Sequence, residues 1–423
     1  MYSKNKIFSF LLLSVISLSL LIPLASAELE SVKVSYGYEV SGRSVEFSPD
    51  NQHIAIGYDN GAIRIWDTLN GENIGFDPEY IDKYRLMSLF GSTEPSLSKI
   101  KYSPDGRYLL TASYEYDFWG HQATSAYLIV HDIESGEVIR YHNMTTPALW
   151  DIAISADGKT YAALSEMDPE NETSTISLWD MDTGNLVDTI ESNNCEATSI
   201  AFTPDNKSLI VSFLNRKNPD RIVIFDLDTG LETKVIKERS VANIQFSDDG
   251  RIFAAGGTIY GEVIVWNSSN YEEVLRIRHI NHPSEDIALS SDGELLVVVE
   301  GSSLMAWNLS AKKQILNMDS LIIESNHASY DQVVKYQCID ISNDNKYVAV
   351  VAWLDDDSKY HLDSDTFSES FGTLNDDIEP SYSGNVVFIY DVQDIKTNVY
   401  KENFFDFILR LGRTWESWQR NMF

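Results

Sequence analysis

Residues 47–67 read FSPDNQHIAIGYDNGAIRIWD, and the order of features within them decides the fold. An apolar segment ends at Phe47, and a tight turn follows at Ser48-Pro49-Asp50-Asn51. A second apolar segment contains Ile54-Ala55-Ile56, and a third, Ile63-Arg64-Ile65-Trp66, closes on the aromatic–acidic pair Trp66-Asp67. The phrase returns along the chain, with turn acids at Asp50, Asp105, Asp157, Asp205, Asp249, Asp292 and Asp344. Each is followed by Gly or Asn, the residues that tolerate the positive φ a tight hairpin needs. The third segments end at Trp66-Asp67, His131-Asp132, Trp179-Asp180, Phe225-Asp226, Trp266-Asn267, Trp307-Asn308 and Tyr390-Asp391. β-branched residues alternate inside them, as half-buried strands require.

Successive turn acids lie 43 (292−249) to 55 (105−50) residues apart. That period, with short strands in each repeat, predicts an all-β fold, a seven-bladed β-propeller of four-stranded antiparallel blades. On these turns and pairs the chain resembles the WD-repeat β-propeller family over roughly residues 30–400. It departs from the family in having no Gly-His pair ahead of a repeat; the one such pair, Gly120-His121, falls in a loop. Asp59 stands where the family's network Asp would be, without an evident His partner. The resemblance also implies that an N-terminal strand within Ser31–Tyr38 completes the last blade and seals the ring.

Three segments are expected: a secretory signal over residues 1–27, the propeller over 28–400 and an amphipathic helix over 401–423. Lys4 and Lys6 precede the apolar stretch 7–24, and Ala25-Ser26-Ala27 is a small-residue cleavage site, so a secreted or cell-surface protein is expected, cleaved near Ala27. An uncleaved anchor is the alternative. Formal charge is −32, with 32 basic against 64 acidic residues. Such a surface repels nucleic acid and anionic lipid and suits divalent cations, high salt or a basic partner. Cys195 and Cys338 fall in distant repeats and are expected not to bond. Asn143 and Asn171 carry glycosylation sequons and are read as loop residues.

Extra length falls after second strands, at residues 114–126, 166–175, 214–220 and 354–385, and after the first blade at 76–98. In this architecture all of these map to one face, where binding resides on a rigid frame. Tyr116, Phe118, Trp119 and His121 are aromatic contact candidates; the alternative is that they fold down over the channel mouth. The acidic loop holds Asp355, Asp356, Asp357, Asp363, Asp365 and Glu369, hard oxygen ligands that Ca²⁺ would take, although the Gly and spacing of a calcium loop are missing. A solvated acidic loop is the plain alternative, and no other cofactor is called for.

At the C-terminus Phe404, Ile408, Leu411, Trp415, Trp418 and Met422 form one stripe of an amphipathic helix, with Asn403 at its cap. Leu411, Trp415 and Trp418 are candidates for docking on the propeller rim, on a partner, or on a membrane surface. No H-E-x-x-H, G-x-S-x-G, phosphate loop or C-x-x-C occurs, and the eight His show no metal spacing. The expected function is therefore a non-enzymatic scaffold that binds protein through its loop-rich face. A hydrolase at the central opening and a Ca²⁺-dependent envelope component are the other two readings. Convergent carboxylates at the channel mouth would favour the hydrolase, whose site would assemble from many blades, and a dry, apolar mouth would sink it.

Overall fold

The seven repeated turns are built alike, and they set the spacing of everything else. In the first, Ser48 Oγ donates to Asp50 Oδ1 (2.6 Å) and accepts from the His53 amide (3.0 Å), while Asp50 Oδ1 also accepts from the Gln52 amide (3.0 Å). The residue after the acid is left-handed in every copy, from φ 58° at Asn206 and Asn345 to 72° at Gly106. Thr203 replaces the serine in the fourth copy and donates in the same way (2.6 Å), which holds the Asp205 carboxyl below its ordinary range. The acid of the aromatic–acidic pair fixes the next turn: Asp180 Oδ1 accepts from both the amide (2.8 Å) and the hydroxyl (2.7 Å) of Thr183. Asn267 does this equally well for Ser269, so the position requires an acceptor oxygen rather than a charge.

A computed structural model describes residues 34–36, 41–68, 74, 95–116, 123–144, 146–168, 171–193, 195–214, 220–238, 241–257, 262–278, 286–318, 334–354, 384–393 and 395–396. These form seven antiparallel sheets. Their inner strands are Gly42–Phe47, Pro95–Tyr102, Leu149–Ile154, Glu196–Phe202, Val241–Phe246, Asp286–Leu289 and Val334–Ile341. Each inner strand packs beside the next, and the seventh returns to the first, closing the ring. Six sheets have four strands and the first blade has three among the described residues. The expected closure is present: Val34–Tyr36 pairs with Gly384–Asp391, Val34 opposite Val387, as the outer strand of the seventh blade. The signal segment, the acidic loop and the C-terminal stripe lie outside the described residues.

The core is a series of apolar layers between adjacent blades. The strand-ending aromatics sit in these layers. Trp179 stacks on Tyr161 at 5.6 Å between ring centroids, and Trp266 on Phe253 at 5.0 Å. At Gly57 the first two blades leave no room for a side chain; a Cβ there would lie 2.2 Å from Leu97 Cδ2. Asp59, with no histidine to meet, accepts from the Ser41 amide (2.9 Å) and lies 3.8 Å from Arg43. Cys195 and Cys338 are free and buried. Asn143 is an exposed residue of the outer strand Val138–Met144, not of a loop, because it pairs with Tyr127. The segment 114–126 begins and ends as strand: Tyr108–Tyr116 and Ala123–Asp132 pair along their length, so the hairpin continues past Tyr114 and Ala126.

His131 takes the aromatic position of the second blade. It is fully buried, its Nε2 lies 3.2 Å from Thr111 Oγ1, and burial pushes its pKa down to about 3. The folded protein therefore needs this ring neutral, whereas the unfolded chain protonates it near the ordinary 6.5. Stability from this residue is complete above that value and is lost as pH falls toward 3. His131→Phe, which supplies the residue type found at Phe225, should flatten the fall of Tm between pH 6.5 and 4. Thermal melts across that range read the difference, and parallel acid limbs in the two proteins would refute the assignment.

Candidate functional site

The inner strands carry side chains into the central channel at two positions, four and two residues before the turn Ser or Thr. Around the ring these are Ser44 and Glu46, Lys99 and Lys101, Asp151 and Ala153, Ser199 and Ala201, Asn243 and Gln245, Asp286 and Ala288, and Cys338 and Asp340. Ten of them, all but Ala153, Ala201, Ala288 and Cys338, are polar and line a cavity of about 580 Å³. Inner strands have no further strand on their channel edge, so their edge amides need other acceptors. The polar ring supplies them from the neighbouring blade.

Ser44 Oγ accepts from the Ile100 amide (3.3 Å) and Glu46 Oε2 from Tyr102 (2.8 Å), joining the first blade to the second. Asp151 Oδ2 accepts from Ser199 Oγ (2.7 Å) and the Ile200 amide (2.9 Å), joining third to fourth. Ser199 Oγ then accepts from Ile244 (3.0 Å), and Gln245 Oε1 from Leu289 (3.1 Å). Asp286 Oδ2 accepts from Ile339 (3.2 Å), and Asp340 Oδ2 from Phe47 (2.7 Å), which closes seventh to first. Six of the seven junctions are stitched in this way. The junction from second to third blade has Lys99 and Lys101 at these positions, and an ammonium has no acceptor to offer.

The lysines balance the carboxylates instead. Lys101 Nζ pairs with Glu46 Oε1 (3.1 Å); the Lys101 side chain is 40% exposed and that of Glu46 15%. Burial opposes the Lys99 charge, but Asp286 and Asp151 outweigh it and hold its ammonium above the ordinary lysine range. Burial and the neighbouring Glu46 push Asp340 up to about 7, against Lys101 and the Phe47 and Ile341 amides. Carboxylates thus converge in the channel, the condition set for a hydrolase. Each of the four, however, accepts from at least one main-chain amide, the arrangement of a structural ring.

Where the inner strands leave the loop-rich face, six carry a β-bulge, at Arg43, Ser98, Trp150, Thr198, Asn243 and Gln337. Bulges re-aim side chains beside sites. Trp150, the bulged residue toward the loop-rich end of the third inner strand, is 46% exposed. Of the aromatic contact candidates, Tyr116 ends the second strand of its blade, while Phe118, Trp119 and His121 lie outside the described residues. Asp355, Asp356, Asp357, Asp363, Asp365 and Glu369 also lie outside them, as do Leu411, Trp415 and Trp418. Among the described residues no group of His, Cys, Asp and Glu is arranged to hold a metal.

The family model described as "WD domain, G-beta repeat" matches residues 32–67, the closing strand of the seventh blade and the three strands of the first. The chain is 25% identical over 287 residues to the pre-rRNA-processing protein crb3/ipi3 of Schizosaccharomyces pombe, covering 64% of this chain and 56% of that protein. It is 23% identical over 297 residues to the WD repeat-containing protein WDS homolog of Arabidopsis thaliana (68% and 50%). It is 22% identical over 246 residues to the periodic tryptophan protein 2 homolog of Dictyostelium discoideum (56% and 23%). The chain thus spans about half, or less, of these relatives. The β-propeller domain of Cps50 (Swd1) from Myceliophteria thermophila superposes with a TM-score of 0.57 at 14% identity, over 75% of this chain and 94% of that one. These matches support the WD-repeat family and the propeller fold. They overturn the secreted or cell-surface setting expected from the first 27 residues, because pre-rRNA processing, named in the first relative, is work done inside the cell.

The ring makes a prediction about pH. The folded pKa of Asp340, about 7, stands above its ordinary 3.8, so its contribution to stability is full below 3.8 and is lost as pH rises through 7. Asp340→Asn keeps an acceptor oxygen for the Phe47 amide and removes the titration. The wild-type Tm should fall between pH 6 and 8 by more than that of Asp340→Asn; equal slopes would remove Asp340 from the balance.

Proposed function

We propose that this protein is a non-enzymatic scaffold that binds a protein partner at the channel mouth on its loop-rich face. The carrying observation is the bulge of the third inner strand, where Trp150 is 46% exposed, beside a ring whose carboxylates are each engaged by main-chain amides. A large apolar ring in water on a rigid rim is the kind of anchor on which binding energy concentrates. Tyr116 ends the second strand of the neighbouring blade at the same face, and the aromatic residues Phe118, Trp119 and His121 follow it in the sequence. The net charge of −32 favours a partner that is basic where it meets the rim.

The test is retention of a partner from extracts of the source cell by wild-type protein, Trp150→Ala and Glu272→Lys. Glu272 lies in the turn after a third strand, on the opposite face. A partner held by wild type and by Glu272→Lys, and reduced at least tenfold by Trp150→Ala, supports the reading. Equal retention by all three, or loss only with Glu272→Lys, overturns it.

A further inference from the structure

The first and third inner strands bulge at equivalent places. In the first blade the Asp59 amide donates to the Ser41 carbonyl (2.9 Å), and the bulged residue two places on is Arg43. In the third blade the Glu166 amide donates to the Ala148 carbonyl (2.9 Å), and the bulged residue two places on is Trp150. Glu166 therefore stands where Asp59 stands, and Trp150 where Arg43 stands. In the first blade the two side chains form an ion pair, with Arg43 Nη2 3.8 Å from Asp59 Oδ2. In the third blade the acid is kept, and a half-exposed indole replaces the cation. A second acid adds to the imbalance. Burial, and then the charge of Glu196 at the start of the fourth inner strand, raise the Glu166 carboxyl above the ordinary carboxylate range. The repeat also sets Glu196 beside Trp150. At the seventh–first junction the bulged Gln337 reaches Ser41, and Trp150 and Glu196 hold the same two positions at the third–fourth junction. Among the described residues neither Glu166 nor Glu196 meets a hydrogen-bond donor or a basic group. Arg221, on the third strand of the fourth blade, reaches Cys195 Sγ (3.9 Å) and Glu232 (4.0 Å) instead.

We propose that the partner meets this place with a basic side chain, its ammonium or guanidinium held against the Trp150 ring by the carboxylates of Glu166 and Glu196. The inference rests on the reading of Trp150 as the partner's anchor, and it specifies the chemistry of the group that is anchored. The partner supplies from outside the charge that Arg43 supplies within the first blade. A cation is drawn to the face of an indole, and more strongly where water is partly excluded. Carboxylates beside the ring add charge-assisted hydrogen bonds to the same group. An apolar occupant fits worse, because it would cover two unpaired carboxylates and strip them of water.

Fluorescence anisotropy tests it, with a labelled pentapeptide that carries one arginine between glycines and with its citrulline analogue, which keeps the shape and removes the charge. Salt at about 0.15 M screens charges more than about 8 Å away and limits the pull of the chain's general acidity. The proteins are wild type, Trp150→Ala, Glu166→Gln/Glu196→Gln and Glu272→Gln. Neither Glu166 nor Glu196 holds another described side chain, so the double variant keeps the fold. Wild type and Glu272→Gln should bind the arginine peptide about tenfold more tightly than the citrulline peptide, and Trp150→Ala and the double variant should lose that preference. Equal binding of the two peptides by wild type, binding of neither, or a preference that survives the double variant overturns the proposal. A preference that Glu272→Gln also abolishes would belong to the overall charge and overturns it as well. Capture of the partner separates this inference from the scaffold reading. A partner released by Trp150→Ala yet retained by the double variant overturns the cation and leaves the scaffold reading standing, whereas a partner indifferent to Trp150→Ala overturns both.

Discussion

A side-chain oxygen of one blade holds a main-chain amide of the next, and the ring depends on that bond. Each inner strand presents an edge toward the channel where no further strand can pair. Left alone, such an edge would carry unsatisfied amides at the centre of the molecule, at about 1–3 kcal/mol apiece. Ser44, Glu46, Asp151, Ser199, Gln245, Asp286 and Asp340 take up those amides and at the same time tie neighbouring blades together. The closing seam is tied at several points, by the bond from Phe47 to Asp340, by Asn343 to Asn51, by Gln337 to Ser41, and by the pairing of Val34–Tyr36 in the last blade.

A second circle of ties runs through the turns. Asn51, Asn206 and Asn345 occupy left-handed positions where Gly stands in the other copies. Their Oδ1 atoms accept from Asn343 (2.7 Å), Asp157 (3.3 Å) and Ser291 (2.8 Å) on the preceding blade. Asparagine therefore does at these turns what glycine cannot: it adopts the required φ and still offers an acceptor. At the third–fourth, sixth–seventh and seventh–first junctions the blades are thus fixed both along their inner strands and at their turns.

The fold was legible because its signals are local. Ser48, Asp50 and Asn51 form a turn from their own atoms, and Trp66-Asp67 announces a strand end and the turn after it. The channel ring was not legible in that way. Its acceptors are Ser, Asp, Glu and Gln, one or two in every repeat but the second, and in a half-buried strand they read as ordinary polar alternation. Counting back four and two residues from each turn Ser or Thr locates them, but that count acquires meaning only once the ring brings the seven strands together. The bulge at Trp150 was equally silent, since a register shift depends on the partner strand. The aromatic segment around Tyr116 was read as a loop because Gly120 and the polar residues near it suggest one, whereas cross-strand pairing from Tyr114 to Ala126 continues the hairpin. The N-terminal apolar stretch misled about compartment, since a leader-like pattern in one segment weighed less than likeness across more than half of the chain.

The stitched ring is tested most directly by native-state hydrogen exchange at the Phe47, Tyr102, Ile200 and Ile339 amides. If side chains of the preceding blades hold them, these amides exchange only through global opening, with protection equal to that of the buried second strands. Exchange at the rate of exposed turn amides such as Gln52 would mean that the inner strands are not tied across the channel, and the account of how this propeller stays closed would be wrong.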